Sequence, residues 1–350
     1  MNIAVGLSGG VDSSVAALLL KNAGHSITGV TMRIYSPDIP IPAGNACYGP
    51  DEDHDVAEAS ALCKKLGVPY HEIDLREEYK REVLSYFERE YRAGRTPNPC
   101  VRCNALVKFG FLISRSREMG ISFEKFATGH YARTEYDEAH RQWLLLKAVD
   151  AKRDQSYFLG FLGQDQIASV LFPLGAMTKD EVRAIARENG LAAAAKKDSQ
   201  DFAGGDYAKL IGGTSKKGVI RHVNGSELGM HDGIEHYTVG QRRGLKIAYA
   251  SPLYVVKIDA DTNTVFVGDD ADLLRDSCIV RNVNWILQKV DTPTHVTVKI
   301  RSAHAGIGAA IAPEGDAVRV TFDEHERAVT PGQAAVFYDG NIVLGAGIID

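Results

Sequence analysis

The chain is poor in cysteine, with five in 350 residues. An odd, small number at this length gives no disulfide framework, so the sequence reads as a reduced, cytoplasmic protein. Long apolar runs are missing too. None approaches the roughly 18–20 residues needed to cross a bilayer, which excludes a membrane span and a membrane partner of that kind. The start, Met1-Asn2-Ile3-Ala4-Val5-Gly6, has neither the basic segment nor the cleavage site of a secretory leader. There is no internal repeat and no low-complexity tract. No charge sign dominates: the net charge of −5 argues against a protein that is basic all over, though not against a local basic face. With 24% charged and 45% hydrophobic residues the composition excludes a disordered chain. At roughly 100–200 residues per domain, two or three domains are expected.

The first half alternates strand and helix patterns. Residues 2–7 form a short apolar run, 12–21 follow with helical spacing, and Gly24 stops them. Residues 26–32 read as a second strand. Val56, Ala59, Leu62, Cys63 and Leu66 mark one face of a helix ending at Gly67. A strand over 70–74, a helix over 76–93, a break at Thr96-Pro97-Asn98-Pro99, a helix over 104–119 and a strand over 125–128 complete the series. Such alternation predicts a parallel sheet with helices on both faces and a ligand beyond the carboxyl ends of the strands. After about residue 205 helical periods fade. Short alternating runs at 253–258, 264–267, 295–300, 317–321 and 334–338, separated by turn signals, predict a mostly β region.

One window is locally basic. From Arg89 to Arg117 there are seven Lys/Arg (Arg89, Arg92, Arg95, Arg102, Lys108, Arg115, Arg117) and one acid, Glu90. It could meet phosphates, or be a solvated helix face.

Ser8-Gly9-Gly10-Val11-Asp12-Ser13 follows the first strand and opens the first helix. Glycines let the backbone approach an anion, and the N–H groups and dipole of a helix N-terminus favour negative charge there. Ser8, Ser13 and Ser14 can add hydroxyl donors. Asp12 can cap the helix or help to hold Mg²⁺ on a polyphosphate. The lysine of a Walker loop is absent, which disfavours simple γ-phosphate hydrolysis.

This SGGxDS loop resembles that of the ATP-pyrophosphatase (PP-loop) group, which cleaves ATP between the α- and β-phosphates to adenylate a carbonyl oxygen. Further strings narrow the resemblance: Thr96-Pro97-Asn98-Pro99-Cys100-Val101-Arg102-Cys103-Asn104 with Lys108-Phe109, Ala127-Thr128-Gly129-His130-Tyr131-Ala132-Arg133, and Lys152-Arg153-Asp154-Gln155-Ser156-Tyr157-Phe158-Leu159. Later come Lys197-Asp198-Ser199-Gln200, Tyr237-Thr238-Val239-Gly240-Gln241-Arg242-Arg243-Gly244-Leu245 and Val283-Asn284-Trp285-Ile286. Together they resemble the tRNA-specific 2-thiouridylase family, MnmA type, over nearly the whole chain. The resemblance implies an α/β fold: an N-terminal PP-loop parallel sheet with helices on both faces over 1–205, a small central linking domain over 206–275, and a C-terminal β-barrel-like domain over 276–350. It implies that Gly6, Leu7, Ser8, Gly9, Gly10, Val11, Asp12, Ser13, Met32 and Gly129 contact ATP, with Mg²⁺ on the pyrophosphate. Asn98, Pro99 and Cys100 would lie against the target base. His130, Lys152, Arg153, Asp154, Gln155, Arg301, Ser302 and Gln333 would touch tRNA, and Asp12 and Cys103 would be catalytic. Lys152, Arg153 and Gln155 also suit phosphate and base-edge contacts by their chemistry. The partners implied are tRNA and a sulfur donor, protein or inorganic sulfide.

The family pattern has two catalytic cysteines. Cys103 matches the first. The second, which carries the persulfide, follows the Asp-Ser-Gln string, but here that string continues Asp201-Phe202-Ala203-Gly204-Gly205-Asp206-Tyr207 without a cysteine. Cys63 lies on an apolar stripe and Cys278 beside a β run, so both read as small buried hydrophobes. Cys47, Cys100 and Cys103 remain. Cys100 and Cys103 form a C-x-x-C in what reads as a loop at the ligand edge of the sheet, and Cys47 follows the second strand at that edge. Three thiolates there could hold three irons of a [4Fe–4S] cluster, the preferred reading. The alternatives are thiol or disulfide chemistry with Cys103 as nucleophile, zinc without an evident fourth ligand, or no ligand role. Another PP-loop activity, or a catalytically silent tRNA- or nucleotide-binding relative, are the rival functions.

Overall fold

The computed structural model describes residues 1–39, 47–196, 202, 210–212 and 214–350. By packing, the chain divides into two units. The first comprises Met1–Val83, Cys100–Tyr207 and Asn341–Val343, the second Leu84–Pro99, Ala208–Gly340 and Leu344–Asp350.

The first unit is built on a parallel sheet. Its strands are β1 (Asn2–Gly6), β2 (Ser26–Arg33), β3 (Tyr70–Asp74), β4 (Lys125–Ala127) and β7 (Val170–Leu171), in the order β3-β2-β1-β4-β7. Side chains alternate across it, as the pleat requires. Ile3 and Val5 pack on the face covered by α1 (Val11–Asn22), α2 (Glu52–Leu66) and, later in the chain, Val182 and Ala186. Phe126 meets Phe109 edge-on on the other face. α2 stops where Gly67 takes φ 64°, as the sequence predicts. A hairpin of β5 (Ala132–Asp137) and β6 (Gln142–Lys147) follows β4, and Ile342 pairs with Leu146 at its edge.

The helices differ in detail from their sequence pattern. The stretch over 76–93 is realised as α3 (Arg76–Tyr79), a π-helical segment Lys80–Leu84 and α4 (Ser85–Arg92). The expected helix over 104–119 starts earlier, with α5 (Pro99–Arg102), continues as a nine-residue π-helix Cys103–Phe111 and ends as α6 (Leu112–Glu118). Proline at a first helical position is favourable, so Pro99 starts this helix instead of extending the break before it. The wider π spacing leaves carbonyl groups poorly used, and the Gln166 amide donates to two of them, Ala105 at 2.9 Å and Phe109 at 3.0 Å. Gln166 belongs to α7 (Gln164–Ser169). The last long helix, α8 (Lys179–Glu188), opens on a capping box between Thr178 and Glu181.

The second unit is mostly β. Strands β8 (Gly218–His222), β9 (Glu227–His231), β10 (Tyr254–Asp259) and β11 (Thr264–Gly268) form a sheet ordered β10-β11-β8-β9 around Ile220, Val255, Val265 and Val267. Strands β12 (Leu274–Trp285), β13 (Thr294–Lys299), β14 (Ile307–Glu314), β15 (Ala317–Arg327), β16 (Ala334–Asp339) and β17 (Ile342–Ile349) follow. β12 pairs antiparallel with both β15 and β17, which closes a barrel and removes its edges. Among the described residues no helix is long and apolar enough to cross a membrane.

Phe337 is fully buried in the barrel and stacks on Trp285 at 5.7 Å between ring centroids. Phe337→Ala is expected to destabilise this unit by about 3–5 kcal/mol. The check is urea unfolding followed by Trp285 fluorescence in a Trp143→Phe background. An unchanged midpoint would contradict a core role.

Candidate active site

The sheet order places the site. β2 and β3 build outward on one side of β1 and β4 on the other, so the strand order turns between β1 and β4, and ligands of such sheets sit there, beyond the strands' carboxyl ends. The loop after β1 is held to β2, where Leu7 N–H donates to the Val30 carbonyl at 2.8 Å and Thr31 Oγ1 donates to the Leu7 carbonyl at 3.0 Å. Gly9 has φ 65°, and a Cβ there would sit 2.7 Å from the Asp55 carbonyl oxygen. Met32 is half-buried in β2, opposite Ile73.

Two expectations about the loop change. The N-cap of α1 is Gly10, with no side-chain cap, so Asp12 does not cap the helix. The Ser13 and Ser14 hydroxyls donate to the Gly10 carbonyl at 3.2 and 2.8 Å, and Ser13 Oγ accepts from Ser8 N–H at 3.2 Å. These hydroxyls brace the loop. What the loop can offer an anion is instead the first-turn backbone of α1, whose N–H groups have no intrahelical acceptor.

Gly129 follows β4 and lies directly against that turn. A Cβ on it would stand 2.6 Å from Ser13 N and 2.7 Å from the Asp12 carbonyl carbon. His130 shares a 2.7 Å hydrogen bond between Nδ1 and Thr128 Oγ1, with its ring beside Phe109 and Phe172. Burial, with nearby Lys108 adding to it, holds its pKa well below the ordinary histidine range, so it is a neutral group near pH 7.

The Asp12 carboxylate is tied by residues that sequence reasoning missed. Lys179 Nζ donates to both its oxygens at 2.8 Å, and the Tyr131 hydroxyl donates to Oδ1 at 2.9 Å. The Thr178-x-x-Glu181 pattern signals a helix start with Lys179 at its first position, but nothing local says that this end meets α1. The Lys152–Gln155 stretch supports the same network. Gln155 Oε1 accepts from Tyr131 N–H at 2.9 Å, and Asp154 Oδ1 accepts from Ala148 and Ser156 N–H at 3.0 and 3.2 Å, while Lys152 and Arg153 are exposed. On the loop's other side, Lys196 pairs with Asp55 at 2.5 Å and Glu58 at 2.6 Å.

Cys47, Cys100 and Cys103 all belong to the first unit. Cys100 and Cys103 are not in a loop: they occupy α5 and the first position of the π-helix. Arg102 anchors this turn to the segment after α3 by pairing with Glu82 at 3.1 Å. Cys47 is placed by its neighbour Tyr48, which is fully buried, bonds through its N–H to the Phe202 carbonyl at 3.1 Å and stacks on Tyr79 at 5.3 Å. Burial raises the Tyr79 phenol well above its ordinary value, and Cys103, Cys100 and Cys47 each add to the rise. Burial also pushes the Cys103 thiol up to about 11, against the pull of Lys108 and with Cys47 adding to the rise. Cys63 and Cys278 are buried, with thiols pushed up to about 11 and about 12 by burial, as inert core residues should be. Among the described residues the one group of three or more potential ligand atoms within 4.8 Å of one another is His54, Asp55 and Glu58, whose two acids hold Lys196. The three sulfurs are therefore spread more widely than the ligands of a single zinc ion. The Lys197-Asp198-Ser199-Gln200 string and residues 201 and 203–207 lie outside the described residues, as do 40–46 before Cys47.

The basic window resolves into ion pairs. In the second unit Arg92 meets Glu88 at 3.0 Å, and Arg95 meets Glu90 and Asp350, each at 3.0 Å. In the first, Arg115 meets Glu78 at 2.9 Å and Glu118 at 3.0 Å. A phosphate-binding face made of these arginines is not supported, because their acids lie outside the window or were outnumbered within it. Also in the second unit, Gln333 donates to the Thr96 carbonyl at 2.9 Å, which fixes the strand before Asn98 and Pro99. Arg301 lies 3.7 Å from buried Glu326, and Ser302 is exposed.

The strand, glycine loop and helix, with Gly129 closing on them, define a PP-loop nucleotide-binding domain. Three family models match in succession: the tRNA methyl transferase HUP domain over residues 1–203, the tRNA methyl transferase PRC-barrel domain over 209–269 and the aminomethyltransferase beta-barrel domain over 275–349. The tRNA-specific 2-thiouridylase MnmA of Endomicrobium trichonymphae is 44% identical, covering 100% of this chain and 99% of its own. That of Aquifex aeolicus is 42% identical, covering 100% and 99%. The chain belongs to the tRNA-specific 2-thiouridylase (MnmA) family. Among solved structures, the U34-tRNA thiolase NcsA from Methanococcus maripaludis with its [4Fe-4S] cluster is 21% identical, with TM-score 0.35, over 55% of this chain and 58% of that one. A 4-thiouridine synthetase–RNA complex with bound ATP is 18% identical, with TM-score 0.33, over 58% and 45%. The family assignment rests on the sequence relatives and not on these.

Gly129→Ala is expected to displace Asp12 and Ser13 and weaken ATP binding by at least about tenfold, since the added methyl meets backbone and not a side chain that can move. Titration with ATP checks this beside Gly163→Ser, where the added atoms meet open space. Equal affinity in both variants would contradict the tight approach.

Proposed function

We propose that this chain is an ATP-dependent tRNA-uridine 2-sulfurtransferase working in the cytoplasm. The loop over residues 6–13 and Gly129 bind ATP. The C2 oxygen of the wobble uridine attacks the α-phosphate, forming an O–P bond and releasing pyrophosphate. Sulfur then adds at C2 and the C–O bond breaks, with AMP as leaving group. The protein's task is to hold the flipped base, the α-phosphate and the sulfur together. Mg²⁺ would offset charge on the pyrophosphate. Asn98, Pro99 and Cys100 take the base, while His130, Lys152, Arg153, Asp154, Gln155, Arg301, Ser302 and Gln333 serve tRNA, Asp154 and Gln155 through the loop that they hold. The divisions at 205 and 275 are part of this reading, supported by where the family models begin and end.

The observation that carries the sulfur chemistry is that Cys47, Cys100 and Cys103 all lie within electrostatic reach of Tyr79, in a chain with no cysteine among residues 201–207, directly after Gln200. A thiol pushed up to about 11 is a poor nucleophile at neutral pH, whereas a bound metal removes its proton outright. The donor set therefore fits a [4Fe–4S] cluster held by three thiolates, which when bound would supply one open iron for a hydrosulfide. Arg102 and Tyr48 hold the ligand-bearing segments in place, and Lys108 offsets negative charge on Cys103.

Anaerobic purification with iron and sulfide analysis tests this. Cys47→Ala, Cys100→Ala and Cys103→Ala should each lose both iron and thiolation. Cys63→Ala and Cys278→Ala should lose neither. Full thiolation by rigorously iron-free protein would return Cys103 to the role of nucleophile. Absence of tRNA-dependent pyrophosphate release from the wild type would instead favour a silent tRNA- or nucleotide-binding protein.

A further inference from the structure

Asp12 poses an electrostatic problem. It lies in the first turn of α1, inside the loop proposed to receive a polyphosphate, and a bare carboxylate there would repel that ligand. The structure supplies a counter-charge. Lys179 comes from the first turn of α8, its side chain only 7% exposed, and its ammonium sits 2.8 Å from each Asp12 oxygen. Its position is fixed from both ends. Its backbone N–H donates to Asp150 Oδ2 at 3.0 Å, and its ammonium lies 5.9 Å from the centre of the Tyr131 ring, whose hydroxyl bonds the same carboxylate. A pair this buried adds little to stability over an apolar replacement, so its worth is better sought at the loop it faces.

We infer that Lys179 is a positioning residue for nucleotide binding: it neutralises Asp12 and fixes its carboxylate, so that the loop accepts a polyphosphate without a lysine of its own. The inference rests on the proposed use of ATP. It separates charge balance from direct contact, because a lysine that itself grips phosphate cannot be replaced by removing its partner's charge.

The test is a double-mutant cycle read by ATP titration in excess EDTA, with thermal melting to monitor folding. Lys179→Met leaves Asp12 unbalanced and should weaken ATP binding on the order of tenfold to a hundredfold. Asp12→Asn should bind at least as tightly as the wild type under these metal-free conditions. The double variant Asp12→Asn/Lys179→Met, neutral like the native pair, should regain about the affinity of the wild type. If Lys179→Met alone fails to fold, the neutral double variant still reads the same comparison. A folded double variant that binds as weakly as Lys179→Met, or more than about tenfold below the wild type, would overturn the inference and make Lys179 a phosphate ligand. Unchanged binding by Lys179→Met would overturn it as well. A wild type that binds no ATP would bring down the functional reading, and this inference with it.

Discussion

The first unit depends on a single close approach. β4 lies next to β1, and the backbone leaving β4 at Gly129 touches the backbone entering α1 at Asp12 and Ser13 with no room for a methyl group. Two peptide segments from distant parts of the chain thus meet at the carboxyl ends of the strands. The serine hydroxyls turn inward to stiffen the loop, Tyr131 reaches back from the strand after Gly129 to Asp12, and Gln155 fixes Tyr131 in turn. Each of these contacts presupposes the one before it. The loop proposed to receive ATP is therefore assembled from backbone that other contacts already hold in place.

Much of this was legible in the sequence. Apolar spacing located β1, α1 and β2 to within a residue or two, because central strands of a parallel sheet are buried on both faces and their helices must show a stripe. The loop and Gly129 were legible because glycine is the residue for backbone in unusual places. What escaped was whatever depends on distance in three dimensions. Lys179 is one charged residue in a helix start, and its value comes from a partner 167 residues away. The arginines between 89 and 117 looked like an open basic face only because Glu78, Glu82, Glu88 and Asp350 stand outside the window that was counted. Thr96-Pro97-Asn98-Pro99 has the pattern of a break, yet Pro99 begins a helix. Proline's rigid φ serves both purposes, and local sequence does not distinguish them.

The cysteines divide by surroundings and not by number. Cys63 and Cys278 are enclosed by aliphatic side chains, which penalise a thiolate. Burial penalises a Cys103 thiolate too, but Cys103 has Lys108 within electrostatic reach, and it influences Tyr79 together with Cys100 and Cys47.

The π-helix that begins at Cys103 has a consequence for how this site can change. A π segment behaves as an α-helix that has absorbed an additional residue, and losing one residue would let it relax into ordinary α geometry. Each α-helical residue turns the chain by about 100°, so a single deletion between Cys103 and Phe111 would rotate Pro99 through Cys103 by that angle relative to the packed residues Phe109 and Leu112. The thiols would then turn from Tyr79, and Gln166 would lose the carbonyls it now satisfies. Substitutions in this helix can be graded in their effect, but a change of length cannot. The segment is thus a ratchet: beyond Cys103 its residue types can vary more freely than their number.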